Sequence, residues 1–212
     1  MTKFRHDPDD TEGGLSRRAF LKGAGGVAAA TGALQAAGEA AASSQDPGVL
    51  EGTLPLELQI NGERRKVQVE PRTTLLSLLR HRLEPPMTGT KEVCDRGNCG
   101  ACTVIVDGQA QYACMLLAVD LTGKQIRTVE GLGTPDVLSP VQEAFCRHDA
   151  SMCGFCTPGF VMASTALLEK QPDANEEQIR RGLSGNLCRC GTYPHIFSAV
   201  ADAGRRMGGQ DK

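Results

Sequence analysis

Nine cysteines dominate the chemistry that this 212-residue sequence could perform. Eight of them form two groups with short internal spacings. The upstream group is Cys94, Cys99, Cys102 and Cys114, and the downstream group is Cys153, Cys156, Cys188 and Cys190. Thiolates on short loops are ligands for a metal ion or a metal cluster, and glycines such as Gly154 and Gly191 give those loops the conformational freedom that tight bends need. We therefore predict all eight cysteines as metal ligands.

The upstream group has the spacing Cys-x4-Cys-x2-Cys with a distant fourth cysteine. Plant-type ferredoxins use this arrangement to bind a 2Fe-2S cluster. Gly97, Gly100 and Ala101 keep the loop small and leave its amide N–H groups free to face the sulfurs. Spacing and composition together predict a 2Fe-2S cluster on this loop.

The downstream group combines a Cys-x2-Cys loop at Cys153 with a Cys-x-Cys loop at Cys188. The stretch between them has helical periodicity, so two helical hairpins could present one loop each to a shared centre. Structural zinc also takes four thiolates and is the alternative for either group. A Rieske centre needs two histidine ligands, and neither loop contains one. His81 and His195 are therefore expected to be surface or capping residues.

The region 54–130 has the order strand, turn, strand, helix, cluster loop and two further strands. Asn61-Gly62 marks the hairpin turn, and Thr73 or Thr74 is the expected N-cap of a helix over residues 75–80. The later strands are expected at 103–106 and 125–129, with a turn at Asp107-Gly108. This order predicts a β-grasp ferredoxin-like domain.

Residues 131–139, rich in glycine and proline, are predicted to be a linker. Beyond it, the residues 140–207 have helical periodicity and predict a helical domain that carries the downstream cysteine group. The expected helices cover 140–148, 158–170, 175–184 and 195–206. Asp173 or Asn175 is the expected N-terminal signal of the third helix, and Cys146 is expected to be a buried thiol on the first. The predicted fold class is thus α+β, a β-grasp domain followed by a four-helix bundle with both ligand loops at one end.

The N-terminal segment 1–42 is predicted to be a twin-arginine signal peptide. Arg17-Arg18 precedes a mild Ala/Gly-rich run that is too short to cross a membrane, and cleavage is expected after Ala42. Residues 43–53 then form a linker. The twin-arginine route carries folded proteins, which reconciles a periplasmic location with clusters assembled in the cytoplasm.

The composition disfavours both a disulfide framework and a nucleic-acid partner. A disulfide framework is common in exported proteins, but nine is an odd number and eight cysteines fall into ligand-type groups. The net charge of −2 argues against nucleic acid as a partner. The sequence also contains no nucleophile–base pair, so the chain is not expected to have catalytic residues of its own.

Three stretches resemble the small iron–sulfur subunit of the xanthine oxidase (molybdenum hydroxylase) family. They are Cys94–Cys102, Cys153–Gly159 and Gly185–Cys190, and the resemblance extends over about residues 54–207. The ending Cys190–Pro194, together with the export signal, is most similar to the periplasmic aldehyde oxidoreductase branch.

The resemblance implies a multi-subunit oxidoreductase that uses two 2Fe-2S clusters in this chain. A large partner would carry a molybdopterin cofactor and hydroxylate aldehydes or N-heterocycles. Electrons would pass from the downstream cluster to the upstream cluster, and then to a FAD-binding subunit or a cytochrome. Cys190 matches the family cysteine nearest the pterin, whereas Met152 replaces a glutamine that usually hydrogen-bonds to it. The alternative is a free-standing iron–sulfur electron carrier or sensor.

Overall fold

The computed structural model describes residues 50–209. The predicted signal peptide, and the linker as far as residue 49, lie outside the described residues. Within residues 50–209, no helix is both long enough and apolar enough to cross a membrane.

A five-stranded mixed sheet occupies the first half of the described chain. Its strands are β1 (Leu54–Ile60), β2 (Glu63–Val69), β3 (Thr103–Val106), β4 (Gln109–Tyr112) and β5 (Gln125–Arg127), in the spatial order β2-β1-β5-β3-β4. Strands β1 and β5 are parallel, and the other pairs are antiparallel. The hairpin between β1 and β2 turns at Asn61 and Gly62, as predicted, and both residues have positive φ values, 52° and 80°. This turn sets the register in which the apolar faces of β1 and β2 meet the core.

Helix α1 (Leu75–His81) covers the sheet with four buried leucines and precedes the upstream cysteine loop. Its N-cap is Thr74, whose side chain accepts a hydrogen bond from the N–H of Ser77, so the structure selects Thr74 over Thr73. The leucines share a core with Leu58 and Ile60 of β1. Burying a leucine contributes about 1.5–3 kcal/mol, so this core fixes the position at which the loop begins.

Four helices make up the second half of the described chain. They are α2 (Pro140–Arg147), α3 (Thr157–Lys170), α4 (Glu176–Gly182) and α5 (Tyr193–Met207). Helices α2 and α4 each begin with a capping box, at Ser139 with Gln142 and at Asn175 with Gln178. The structure therefore selects Asn175 over Asp173 as the cap of α4. Reciprocal capping of this kind fixes where a helix starts, and hence the lengths of the loops between helices.

Helix α3 packs directly against β3, so the sheet and the helices share one small apolar contact. Ile105 of β3 is fully buried against Met162 and Ala166 of α3. At the edge of this contact the guanidinium of Arg127 donates to both carboxylate oxygens of Glu169. The α+β class predicted from the sequence is confirmed.

Cys146 corrects one prediction. It lies in α2 as expected, but its side chain is exposed rather than buried. The buried face of α2 is formed by Val141, Ala144 and Phe145. Cys146 follows Phe145 by one residue, which on a helix is a rotation of about 100° away from that face.

The strand expected at 125–129 is shorter, and one strand was not predicted. Strand β5 ends at Arg127 because the N–H of Thr128 donates to the side chain of Asn61, and a 3₁₀ turn follows at Val129–Gly131. The unpredicted strand is β4, which pairs with β3 after the Asp107-Gly108 turn.

Candidate metal centres

The structure brings the four upstream cysteines together beside the end of β4. Cys94 lies within hydrogen-bonding distance of Cys99, and Cys102 within hydrogen-bonding distance of Cys114, while Cys102 and Cys99 also interact electrostatically. Loop amides face the sulfurs, as predicted. The N–H of Gly97 is 3.3 Å from Cys114 Sγ, and the N–H of Asn98 is 3.4 Å from Cys94 Sγ. Gly97 needs its glycine because its φ is +72°.

The four downstream cysteines also converge, and they do so where the loops before α3 and α5 meet. Cys153 pairs with Cys190, and Cys156 pairs with Cys188. Cys156 is the N-cap residue of α3. Cys188 is fixed by its backbone N–H, which donates to the hydroxyl of Tyr193 at 2.8 Å. Cys153 and Cys190 are exposed, so this group opens to the molecular surface.

The thiols within each group differ in pKa. Burial raises the pKa of Cys102 to about 12, and burial together with the neighbouring Cys188 raises the pKa of Cys156 to about 12. Burial also raises the pKa of Cys94 and of Cys188, but hydrogen bonds to the two sulfurs outweigh this effect. The strongest of these hydrogen bonds come from the Arg96 backbone to Cys94 and from Thr192 to Cys188, and they help to lower each pKa to about 7. Each group thus combines thiols of lowered pKa with thiols of raised pKa, and the latter give up their protons when metal binds.

The arrangement of the thiols fits a cluster with two metal atoms. The thiols stand as two neighbouring pairs in each group. A 2Fe-2S cluster takes four thiolates on two irons, so two pairs are the donor set that it requires. The residues present fit two such clusters.

Positive charge lies beside both groups. Arg96 donates from Nε to the carbonyl of Cys94 at 3.1 Å, and Arg189, between Cys188 and Cys190, is exposed. Lys91 places its Nζ 5.8 Å from the ring centroid of Phe155. These cations and the loop amides offset the negative charge that a thiolate cluster would bring to the site.

Two further residues join the cysteine groups, and the sequence analysis did not identify either. Asn186 is buried and donates from Nδ2 to the carbonyl of Gly100 at 2.8 Å. The hydroxyl of Tyr112 donates to the carbonyl of Gly185 at 2.9 Å. Burial raises the pKa of this tyrosine, and the four upstream cysteines raise it further. The position of Asn186, two residues before Cys188, could have indicated that it lies at the site. No spacing rule connects Tyr112 with residue 185.

Exposed apolar side chains surround each group. Near the downstream group they are Met152, Phe155 and Leu187, and near the upstream group Val93, Met115 and Leu117. Met152 is 73% exposed. Such residues beside a centre are typical of surfaces that a partner covers.

Comparison with known proteins agrees with this geometry. Residues 58–129 match the 2Fe-2S iron-sulfur cluster binding domain family, and residues 128–201 match the [2Fe-2S] binding domain family. The aldehyde oxidoreductase iron-sulfur-binding subunit PaoA of Escherichia coli K12 is 40% identical over 214 residues, covering 94% of this chain and 91% of the relative. The nicotine 6-hydroxylase small subunit of Paenarthrobacter nicotinovorans is 47% identical over 156 residues, covering 74% of this chain and 93% of the relative.

Solved structures give the same result. Quinoline 2-oxidoreductase from Pseudomonas putida 86 superposes with a TM-score of 0.70 at 38% identity, covering 75% of this chain and 98% of that chain. Aldehyde oxidoreductase from Desulfovibrio gigas gives a TM-score of 0.71 at 35% identity, covering 74% of this chain and 18% of the longer one. The chain belongs to the 2Fe-2S iron–sulfur subunits of the molybdenum hydroxylase family, and it is a subunit of an oxidoreductase.

Proposed function

We propose that this chain carries electrons from a molybdopterin-binding large subunit, through two 2Fe-2S clusters, to a FAD-binding subunit or a cytochrome, during oxidation of an aldehyde to a carboxylic acid. The observation that carries the proposal is the direct contact between the two cysteine groups. The N–H of Leu187, which precedes Cys188, donates to the carbonyl of Cys99 at 2.9 Å. An electron that enters at one group therefore has a short bonded route to the other.

The role of the chain's own residues is to hold and orient the clusters. Cys94, Cys99, Cys102 and Cys114 would hold one cluster in a β-grasp domain, and Cys153, Cys156, Cys188 and Cys190 would hold the second in a four-helix bundle. When bound, the clusters would supply one-electron storage. The loop amides at Gly97 and Asn98 stabilise the thiolates, and the buried Cys102 and Cys114 keep one side of the upstream site away from water.

The direction of transfer that we propose rests on the resemblance to the family, in which Cys190 matches the cysteine nearest the pterin. The downstream group, whose Cys153 and Cys190 are exposed, is therefore the side on which we place the molybdopterin subunit. The upstream group, beside Val93 and Met115, then faces the acceptor. An aldehyde substrate is supported by the likeness to PaoA over 94% of the chain. An N-heterocyclic substrate is the second candidate, supported by the 47% identity with the nicotine 6-hydroxylase small subunit.

Cysteine variants test the order of transfer in the purified complex. Cys99→Ser should block electron exit but allow an aldehyde to reduce the downstream cluster once, whereas Cys190→Ser should stop even that first transfer. Rapid-mixing absorption, with iron content to confirm the surviving cluster, is the measurement, and quinoline or nicotine replaces the aldehyde in a parallel series. Cys146→Ser is the matched control, because Cys146 is exposed and outside both groups. Normal reduction in Cys190→Ser together with none in Cys99→Ser would show that the order is reversed.

We also propose that the chain is exported folded to the periplasm by the twin-arginine route. The support is Arg17-Arg18 followed by a mild apolar run ending at Ala42. Replacing both arginines with lysine should retain the chain, and any subunit bound to it, in the cytoplasm. Cell fractionation measures this, and unchanged periplasmic delivery of the variant would contradict the proposed route.

A further inference from the structure

Asn186 is a buried polar residue at the contact between the two halves of the structure. Only 5% of its surface is exposed. Its Nδ2 donates to the Gly100 carbonyl at 2.8 Å and lies 3.1 Å from Thr103 Oγ1. Both partners belong to the upstream loop and the strand after it, whereas Asn186 lies two residues before Cys188. The side-chain amide of Asn186 thus connects the loop that carries Cys188 to the upstream cysteine loop.

The residue next to Asn186 makes a short bonded route between the groups. The route leaves Cys99 through its carbonyl, crosses the hydrogen bond to the N–H of Leu187, and continues along the backbone to Cys188. A single hydrogen bond is therefore its one non-covalent step. Because Asn186 and Leu187 are adjacent, a hydrogen bond that holds Asn186 restrains the N–H of Leu187.

Two glycines, Gly100 and Gly159, leave the space that this contact needs. Gly100 has a φ of +69°, and a Cβ there would lie 2.6 Å from Asn186 Nδ2. A Cβ at Gly159 would overlap the Gly100 carbonyl oxygen. The close approach that places Leu187 against Cys99 thus depends on glycines on one side and on the Asn186 amide on the other.

We propose that Asn186 is a positioning residue for electron transfer between the two clusters, an inference that rests on the function proposed above. In this step one electron leaves the cluster held by the downstream cysteines and enters the cluster held by the upstream cysteines. The first cluster is oxidised by one electron, the second is reduced by one, and no proton or group is transferred. Asn186 keeps the Cys99 carbonyl and the Leu187 N–H in contact while this occurs.

The test uses the full-length chain loaded with iron at both groups. Photoexcited deazaflavin, at less than one electron per chain, reduces the clusters, and freeze-quench EPR follows the two signals as they approach equilibrium. Asn186→Ala and Asn186→Leu should slow this approach about tenfold, the factor that corresponds to ~1.4 kcal/mol. Leucine keeps the branched shape of asparagine but removes the donor. Iron content and both midpoint potentials should stay at the wild-type values, which separates positioning from a change in driving force.

The matched control is Asn175→Ala, which removes the capping side chain of α4 in the same half of the structure without touching the contact. Its exchange rate should equal that of wild type, although its unfolding temperature should fall. An equal slowing in Asn175→Ala, or wild-type rates in both Asn186 variants, would overturn the proposal.

Tyr112→Phe provides an independent arm if the Asn186 variants fail to hold iron. It removes the hydrogen bond to the carbonyl of Gly185, the residue before Asn186, and leaves the ring in place. Exchange should slow in the same direction, and an unchanged rate would contradict the positioning role. No exchange in the wild-type chain would refute the proposed function itself, whereas normal exchange in wild type and variants alike would refute only the role of Asn186.

Discussion

At the scale of single residues, Gly159 shows how closely the backbone of α3 approaches the upstream cysteine loop. A Cβ at this position would overlap the Gly100 carbonyl oxygen and lie 3.1 Å from Ala101 Cα. Both neighbours are backbone atoms next to Cys99 and Cys102, so neither can rotate away. The space between the two loops is therefore too small for any side chain at residue 159.

We expect Gly159→Ala to lower the free energy of unfolding by about 1–3 kcal/mol, because overpacking against backbone forces the loops apart. Denaturant unfolding of the iron-loaded chain measures the change. Gly182→Ala is the matched control. The nearest atoms to its Cβ would belong to the side chain of Leu167, the first at 3.0 Å, and that side chain can move, so a change within about 0.5 kcal/mol is expected. Equal stability of Gly159→Ala and wild type would show that the loops are not packed this closely.

The two groups of four cysteines were predictable from sequence, whereas the contacts between the loops were not. Cys94, Cys99 and Cys102 are separated by a spacing that itself encodes a ligand loop. The bond from Asn186 to Gly100 joins residues 86 positions apart. Such a contact depends on how two folded regions meet, and no local pattern encodes it. Cys146 was misjudged for a smaller reason, since one position on a helix decides which face a side chain occupies.

At the scale of elements, helices were predicted more accurately than strands, because the capping residues that set where a helix begins lie next to it in the sequence. The helix expected at 140–148 was found at Pro140–Arg147, where Ser139 and Gln142 form a capping box. The sequence Gln109–Tyr112 has little apolar alternation, and it becomes strand β4 only because the Asp107-Gly108 turn lays it against β3. Asp107 and Gly108 both have positive φ values, 47° and 75°, as a tight hairpin requires.

The end of β5 was also beyond local prediction. Val129 has high strand propensity, and the sequence favoured a strand that reached it. In the folded chain the Asn61 side chain receives the N–H of Thr128 and donates to its hydroxyl at 2.9 Å. These bonds replace the ladder bonds that a longer strand would need, so a distant turn ends the strand.

At the scale of the whole molecule, the sheet and the helices are joined by a small apolar contact and a few hydrogen bonds. Met162 is 1% exposed and packs with Ile105 of β3 and Ala166 of its own helix. This contact joins β3 of the sheet to α3 of the helices. The two halves are consequently expected to unfold together.

We expect Met162→Ala to lower the free energy of unfolding by about 2–5 kcal/mol. The unfolding transitions of both halves should shift by the same amount. Visible absorption reports the clusters, and far-ultraviolet circular dichroism reports the helices. The control is Met152→Ala, since a methionine that is 73% exposed loses little packing on truncation. A variant in which the helices melt early while the upstream cluster persists would show that the halves are independent.

The contact between Tyr112 and Gly185 bears on protein engineering by exchange of domains among relatives. A Cβ at Gly185 would overlap the tyrosine hydroxyl, so any residue other than glycine at 185 excludes a tyrosine at 112 in this position. One residue lies in the sheet half and the other in the helical half. A chimera built by exchanging one half therefore needs a partner that carries the matching residue, and the pair 112 and 185 is the first place to check before choosing a donor.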